Sequence, residues 1–179
     1  MIRKLGIIKI HHDGRVTQTQ LRAGGSVAMI QSKQYIMDCI SRRAKDFGLD
    51  KKIITAICYV ESSMNPDAVR FEPEYRWFYQ PEVVCPHGIT IETEKIMQMC
   101  SWGLMQVMGG VLREYGYEGF IHKISIDDQI YYGVKHLKRK IGKYGLKAGV
   151  CAYNSGSPVY DSTGELKNID YFLRVLRNM

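Results

Sequence analysis

Apolar and polar positions change their period twice along this chain. Ile7, Ile8 and Ile10 precede Asp13-Gly14, a turn signal, and Val16, Thr17, Thr19 and Leu21 follow it, so residues 3 to 21 read as a β-hairpin. Gly24-Gly25-Ser26 reads as a short joint. From Ser32 onward the period is helical. Ser32 is placed to cap a helix whose apolar face is Ile36, Cys39, Ile40 and Phe47, with Gly48 as its stop. Asp50 caps the next helix, whose stripe runs Ile54, Ile57, Cys58, Glu61 at i, i+3, i+4 and i+7. A carboxylate therefore ends an otherwise apolar face.

Residues 66 to 92 interleave Pro66, Pro73, Pro81 and Pro86 with Phe71, Tyr75, Trp77, Phe78 and Tyr79. Proline at that density forbids a long helix and the aromatics forbid a disordered linker, so an ordered excursion lining a groove is expected. Helical pattern resumes near Thr93, and again after Gly103 through about Tyr115. Asp127 or Asp128 opens a helix with Ile130, Val134, Leu137 and Ile141 on one face and Lys135, Arg139 and Lys143 on another. A further helix ends at Tyr153-Asn154-Ser155-Gly156, and a last one carries Ile169, Phe172, Leu173 and Leu176. The fold class is thus mainly α, with a small β-hairpin-like extension at the N-terminus.

Composition narrows the class. With 45% apolar and 24% charged residues over 179 positions, the chain matches a soluble globular protein rather than a disordered one. No stretch approaches the roughly 18 apolar residues that span a bilayer. The N-terminus opens basic like a signal peptide, but Lys9, His11 and His12 cut its apolar run short, so a product made in the cytoplasm without a signal peptide is expected. Cys39, Cys58, Cys85, Cys100 and Cys151 show no CxxC spacing, and Cys85-Pro86-His87 is the one close Cys/His grouping. Reduced, mostly buried thiols are expected, and neither these nor His87, His122 and His136 suggest a metal site.

Two features carry candidate chemistry. Desolvation at the end of an apolar stripe raises the pKa of Glu61 and favours a neutral carboxylic acid. Such an acid suits glycoside cleavage, because a glycosidic oxygen leaves poorly until protonated. The alternative is an ordinary half-exposed glutamate at a helix end. The net charge is +7, and residues 122–147 hold seven Lys or Arg against two acids. That surface is either simply solvated or tracks polyanions such as wall phosphates and carboxylates.

Other segments tip the balance. Glu61-Ser62-Ser63-Met64-Asn65-Pro66 is followed by Ser101-Trp102-Gly103-Leu104-Met105-Gln106-Val107-Met108 and then by Ala152-Tyr153-Asn154-Ser155-Gly156. This ordered triple resembles the signature of the soluble lytic transglycosylases, relatives of goose-type lysozyme that cleave peptidoglycan. The resemblance covers roughly residues 30 to 179. It implies a lysozyme-like α-helical (α+β) catalytic domain over 29–179, with residues 1–28 as the extension.

By that resemblance Glu61 is the single catalytic acid. It protonates the oxygen between N-acetylmuramic acid and N-acetylglucosamine, then takes a proton from the muramic O6, which closes onto C1 as a 1,6-anhydro sugar. Gln106 and Met108 resemble residues lining the sugar subsites. Tyr153 and Asn154 resemble the pair that closes the catalytic pocket, with the tyrosine hydroxyl near the acid, and Ser62 shapes the turn presenting Glu61. No cofactor is implied, and a monomer acting on glycan strands is expected.

Two departures qualify this. The family usually has a proline soon after Gly-Leu-Met-Gln, whereas Gly109-Gly110 follows Met108 here, which predicts a freer loop. The longer gap between the first two motifs contains Val69-Arg70-Phe71-Glu72-Pro73, resembling a branch with an Arg-Tyr-Glu-Pro-like segment. Glu72 is then a candidate second carboxylate, which would permit hydrolysis, or else a structural partner of Arg70. Trp77, Tyr79 and Trp102 either stack on sugars or belong to the core. The rival readings are a goose-type lysozyme-like hydrolase of peptidoglycan or chitin, and a basic nucleic-acid-binding module. The latter leaves residues 103–106 and 152–154 unexplained, so no nucleic acid is expected. A wall enzyme lacking an export signal fits a phage lysin or virion-associated enzyme acting on the cell wall.

Overall fold

The computed structural model describes the backbone at residues 5–10, 16–21 and 24–179, and side chains from Ser32 onward. The chain divides into two units, Met1–Asp38 and Cys39–Met179. In the first, β1 (Leu5–Ile10) pairs antiparallel with β2 (Val16–Leu21), Leu5 opposite Leu21 and Ile10 opposite Val16. The expected Asp13-Gly14 turn lies outside the described residues. Helix α1 (Gly24–Phe47) runs through Ser32. The predicted cap at Ser32 and joint at Gly24-Gly25-Ser26 are thereby corrected, because local capping chemistry does not decide where a helix begins when its backbone ladder simply continues.

In the second unit, α1 ends where expected. Gly48 takes φ +61 and Leu49 N–H donates to Ala44 O at 2.9 Å, the left-handed stop that glycine allows. Asp50 caps α2 (Lys51–Ser62), accepting from Lys52 N–H at 2.9 Å. Ile53, Ile54, Ala56, Ile57 and Cys58 bury one face of α2 against the core, and α8 (Ile169–Arg177) is among its neighbours. At the C-terminal end, Ser63 and Met64 both take positive φ and donate to Tyr59 O and Cys58 O. Two consecutive left-handed non-glycine residues cost on the order of 1–2 kcal/mol each. They turn the chain sharply just after Glu61.

The excursion holds β3 (Val69–Phe71) and α3 (Pro81–Val84). It is followed by α4 (Ile91–Gln98), capped by Thr90. Then β4 (Cys100–Trp102) and β5 (Val107–Met108) complete a three-stranded antiparallel sheet in the order β3-β4-β5. The helical pattern expected just after Gly103 is a turn instead: Gly103 and Gln106 take φ of +69 and +48, so a helix cannot form before α5 (Gly109–Glu114).

Ser125 caps α6 (Ile126–Tyr144), with Asp127 and Asp128 in its first turn, and α7 (Leu146–Ser155) packs along it. The last helix buries a different face from the expected one. Tyr171 and Val175 are buried while Leu173 and Leu176 are exposed. Of the expected apolar faces, Ile36, Cys39, Ile40, Ile54, Ile57, Cys58, Ile130, Val134 and Leu137 are buried, and so are the thiols of Cys100 and Cys151, whereas Phe47 and Ile141 are only half-buried. The architecture is mainly α with a small antiparallel sheet, and no described helix is long and apolar enough to cross a membrane.

A polar cluster inside this core holds the excursion in place. The Arg113 guanidinium donates to both oxygens of Glu94 at 2.8 and 2.9 Å, and both side chains are fully buried. Arg113 also reaches the carbonyls of Tyr117 and Gly119. Gln98 donates to Glu94 at 2.9 Å and exchanges a pair of hydrogen bonds with the backbone of Tyr79. α4, α5 and the aromatic segment are tied together through these three side chains and the main-chain groups they meet.

Gly109 and Gly110 correct the expectation of a freer loop. A Cβ at Gly109 would stand 2.2 Å from Met97 O, and one at Gly110 would stand 2.5 Å from the Tyr75 hydroxyl and 2.8 Å from Trp77 O. Both glycines are buried in contacts that admit no side chain. Gly109→Ala, which meets backbone, is therefore expected to cost about 1–3 kcal/mol in denaturant unfolding, as for other overpacked sites.

Candidate functional site

The three motifs end on three different elements and meet at one groove. The first closes α2, the second forms the β4–β5 turn, and the third closes α7. Side-chain donors tie them to main-chain acceptors. The Ser62 hydroxyl lies between Cys58 O at 3.0 Å and Leu104 O at 2.9 Å. The Tyr153 hydroxyl donates to Met105 O at 2.6 Å. Gln106 donates to Ala68 O and Gly103 O at 3.0 and 2.8 Å and accepts from the Ser101 hydroxyl at 2.8 Å.

Gln129 completes this scaffold, accepting from Leu104 N–H at 2.9 Å and donating to Pro66 O at 3.1 Å. A Cβ at Gly103 would overlap its amide at 2.1 Å. The glycine of the second motif is thus needed both for its left-handed φ and for that close approach.

The groove has a volume of about 960 Å³ and Glu61 lines it. One wall is aromatic, with Tyr75, Trp77, Phe78 and Tyr79; Tyr75 meets Trp77 and Phe78 edge-on at 5.6 and 6.3 Å. Trp77 is three-quarters exposed, at 75%. Another part of the lining is basic and comes from α6, with Arg139, Lys140 and Lys143. Trp102 lies outside the groove's lining: its indole N–H donates to Met97 O at 2.9 Å and its ring borders a separate small cavity.

Four carboxylates line the groove, and three are ion-paired. Glu72 meets Arg70 at 2.5 Å, Glu74 meets Arg76 at 3.3 Å, and Glu114 meets Arg139 at 2.7 Å. Glu61 alone among these four has no ion-pair partner among the described residues. It accepts a hydrogen bond from the Tyr171 hydroxyl at 2.5 Å. Burial pushes the Glu61 carboxyl above its ordinary pKa, outweighing the Tyr171 bond and the charges of Arg70 and Arg174, which pull it down. Burial and the nearby Glu61 charge push the Tyr171 phenol far up, so it stays a donor.

Every predicted site residue has a definite place. Glu61, Glu72, Gln106, Met108, Tyr153 and Asn154 all line the groove, whereas the Ser62 hydroxyl is turned to main chain. The hydroxyl that bonds the acid belongs to Tyr171, not to Tyr153. Sequence reasoning missed Tyr171 because Phe172, Leu173 and Leu176 looked like the buried face; the i, i+4 pair Tyr171 and Val175 was the available signal. It also missed His136, a half-buried groove residue on α6. Among the described residues no cluster of three or more His, Cys, Asp or Glu is placed to hold a metal ion.

The family model for the transglycosylase SLT domain matches residues 38–167, a span that contains all three motifs and every residue lining the groove. No curated protein matches the chain. On this match the chain belongs to the soluble lytic transglycosylase family, whose substrate is peptidoglycan.

Proposed function

We propose that the groove binds a glycan strand of peptidoglycan and that Glu61 cleaves its N-acetylmuramic acid–N-acetylglucosamine bond without consuming water. Protonated Glu61 gives its proton to the glycosidic oxygen as the C1–O bond breaks. The resulting carboxylate then takes the proton of the muramic O6 hydroxyl as that oxygen bonds C1. The products are a free N-acetylglucosamine end and a 1,6-anhydro end, and Glu61 returns to its starting state. The observation that carries this reading is the solitary state of Glu61: the other three groove carboxylates are neutralised by arginines, and a one-acid cycle needs no second free carboxylate. Gln106, Met108 and Asn154 are the groove residues assigned to the sugars, with Tyr153 and Ser62 holding the motifs around them.

Mass spectrometry of fragments from purified peptidoglycan tests the reaction. Anhydro ends, one water lighter than reducing ends, are expected. Reducing ends formed with Glu72 required would make the enzyme a two-carboxylate hydrolase instead.

The pH profile follows from the raised pKa of Glu61. The acid must enter the cycle protonated, so kcat/KM is highest below that pKa and falls as pH rises through it. Stability has the same sign, because the folded state holds this proton more tightly than the unfolded chain, whose glutamate titrates near about 4.3. The contribution is fully present below the unfolded value and is lost as pH rises through the folded one. A profile that stays flat through the raised carboxyl range would remove Glu61 as the acid.

The two tyrosines separate by readout. Tyr153→Phe leaves the Met105 carbonyl without its donor and is expected to cost about 1–3 kcal/mol of stability. Tyr171→Phe frees the acid's orientation and is expected to lower turnover about tenfold, with a smaller change in melting temperature. Parallel melting curves and fragment-release rates check both.

A further inference from the structure

We propose that His136 is a sugar-recognition residue whose Nε2–H donates a hydrogen bond to the acetamido carbonyl of a bound glycan, its tautomer being set by Tyr115. This rests on the reading of the groove as a glycan site. His136 lines the groove from α6, its ring meeting the Tyr153 ring edge-on at 5.3 Å. Its Nδ1 lies 2.9 Å from the Tyr115 hydroxyl.

In this assignment the Tyr115 hydroxyl is the donor of that bond. The Arg139 guanidinium, held by Glu114 at 2.7 Å, lies 5.7 Å from the centre of the Tyr115 ring and only donates, so it cannot take the tyrosine's proton. Among the described residues His136 Nδ1 is the one partner of the Tyr115 hydroxyl that is able to accept its proton, so that hydroxyl is taken to donate. Nδ1 accepts, and the proton of a neutral imidazole then sits on Nε2. Burial, with Lys140 and Arg139 nearby, pushes the imidazolium pKa down to about 3, so the ring is neutral wherever a wall enzyme works. No described residue bonds Nε2, and Nε2 is not among the buried atoms lacking a partner, so this N–H opens on the groove.

The donor is uncharged and its neighbouring cations are engaged, Arg139 with Glu114 and Lys140 with the carbonyl of Gly156. A neutral acceptor suits it better than an anion. The amide carbonyl is the strongest neutral acceptor on these glycans and occurs on every sugar, while Met108 and Val111 supply apolar surface for its methyl group.

The test uses calorimetric titration in the Glu61→Gln background, which binds without turnover, with tetra-N-acetylchitotetraose and its de-N-acetylated counterpart as probes. His136→Phe keeps a ring and removes the donor. It is expected to weaken the acetylated oligomer roughly three- to tenfold, the worth of one neutral hydrogen bond, and to leave the de-N-acetylated one within twofold. No loss, or equal loss for both, overturns the proposal. Nitrogen-15 spectra of the wild-type histidine give a second readout that needs no variant to fold: the proton is expected on Nε2, and finding it on Nδ1 also overturns the proposal. Wild-type release of anhydro fragments with an unchanged KM in His136→Phe would defeat this assignment alone. A wild type that releases nothing from peptidoglycan would defeat the glycan reading itself.

Discussion

Glu61→Gln leaves a folded protein that releases fragments from purified peptidoglycan roughly 100- to 10,000-fold more slowly than the wild type, or slower still, the range lost with a general acid–base group. Glutamine matches the carboxyl in size, and its carbonyl still accepts from the Tyr171 hydroxyl, now 2.5 Å from Glu61. What it lacks is the proton to give and the charge to take one back. One residue performs both transfers in the proposed cycle, so no other groove carboxylate compensates; Glu72, Glu74 and Glu114 are all held by arginines. The substitution also removes a buried ionisable group, so the melting temperature at neutral pH should match or exceed that of the wild type. A release rate within tenfold of wild type, in a protein that melts normally, would show that the acid lies elsewhere.

The largest stability loss is expected outside the groove's lining, at Glu94→Gln. Glutamine preserves the shape but leaves the Arg113 guanidinium, fully buried, without its counter-ion. Breaking one side of a buried pair costs about 3–5 kcal/mol. That is a large part of the 5–15 kcal/mol that holds a typical domain together, so denaturant midpoints should fall steeply. Glu72→Gln provides the contrast. Its pair with Arg70 is well solvated, with side chains 36% and 66% exposed, and its loss should change stability by less than about 1 kcal/mol. A Glu94→Gln variant as stable as Glu72→Gln would show that Gln98 and the carbonyls of Tyr117 and Gly119 carry the cluster without the charge.

Local signals made much of this protein legible. The caps at Asp50 and Gly48, the stripe ending in Glu61, and the end of α7 near Gly156 are all decided by neighbours within a turn or two, where sequence pattern is informative. What stayed hidden depends on distant partners. The sheet strands have three, three and two residues, too short to show a period of two. Tyr171 meets Glu61 across 110 residues, on a helix whose exposed leucines imitate a core face. Glu94 and Arg113 look like ordinary surface charges until α4 and α5 are packed together.

The donor-to-main-chain ties between the motifs have an evolutionary consequence. Ser62, Tyr153 and Gln106 each act through a side chain, but the carbonyls they bond include those of Leu104, Met105 and Ala68, which accept whatever side chains those positions carry. Mutational tolerance should therefore be one-sided. In a saturation library selected for wall lysis, Leu104 and Met105 should accept volume-conserving apolar replacements, since each must only fill its buried site. The donors opposite them should accept almost nothing, because no backbone change can supply the missing hydrogen. Drift across the groove would then appear as variation on the accepting strand of each tie and near-silence on the donating one.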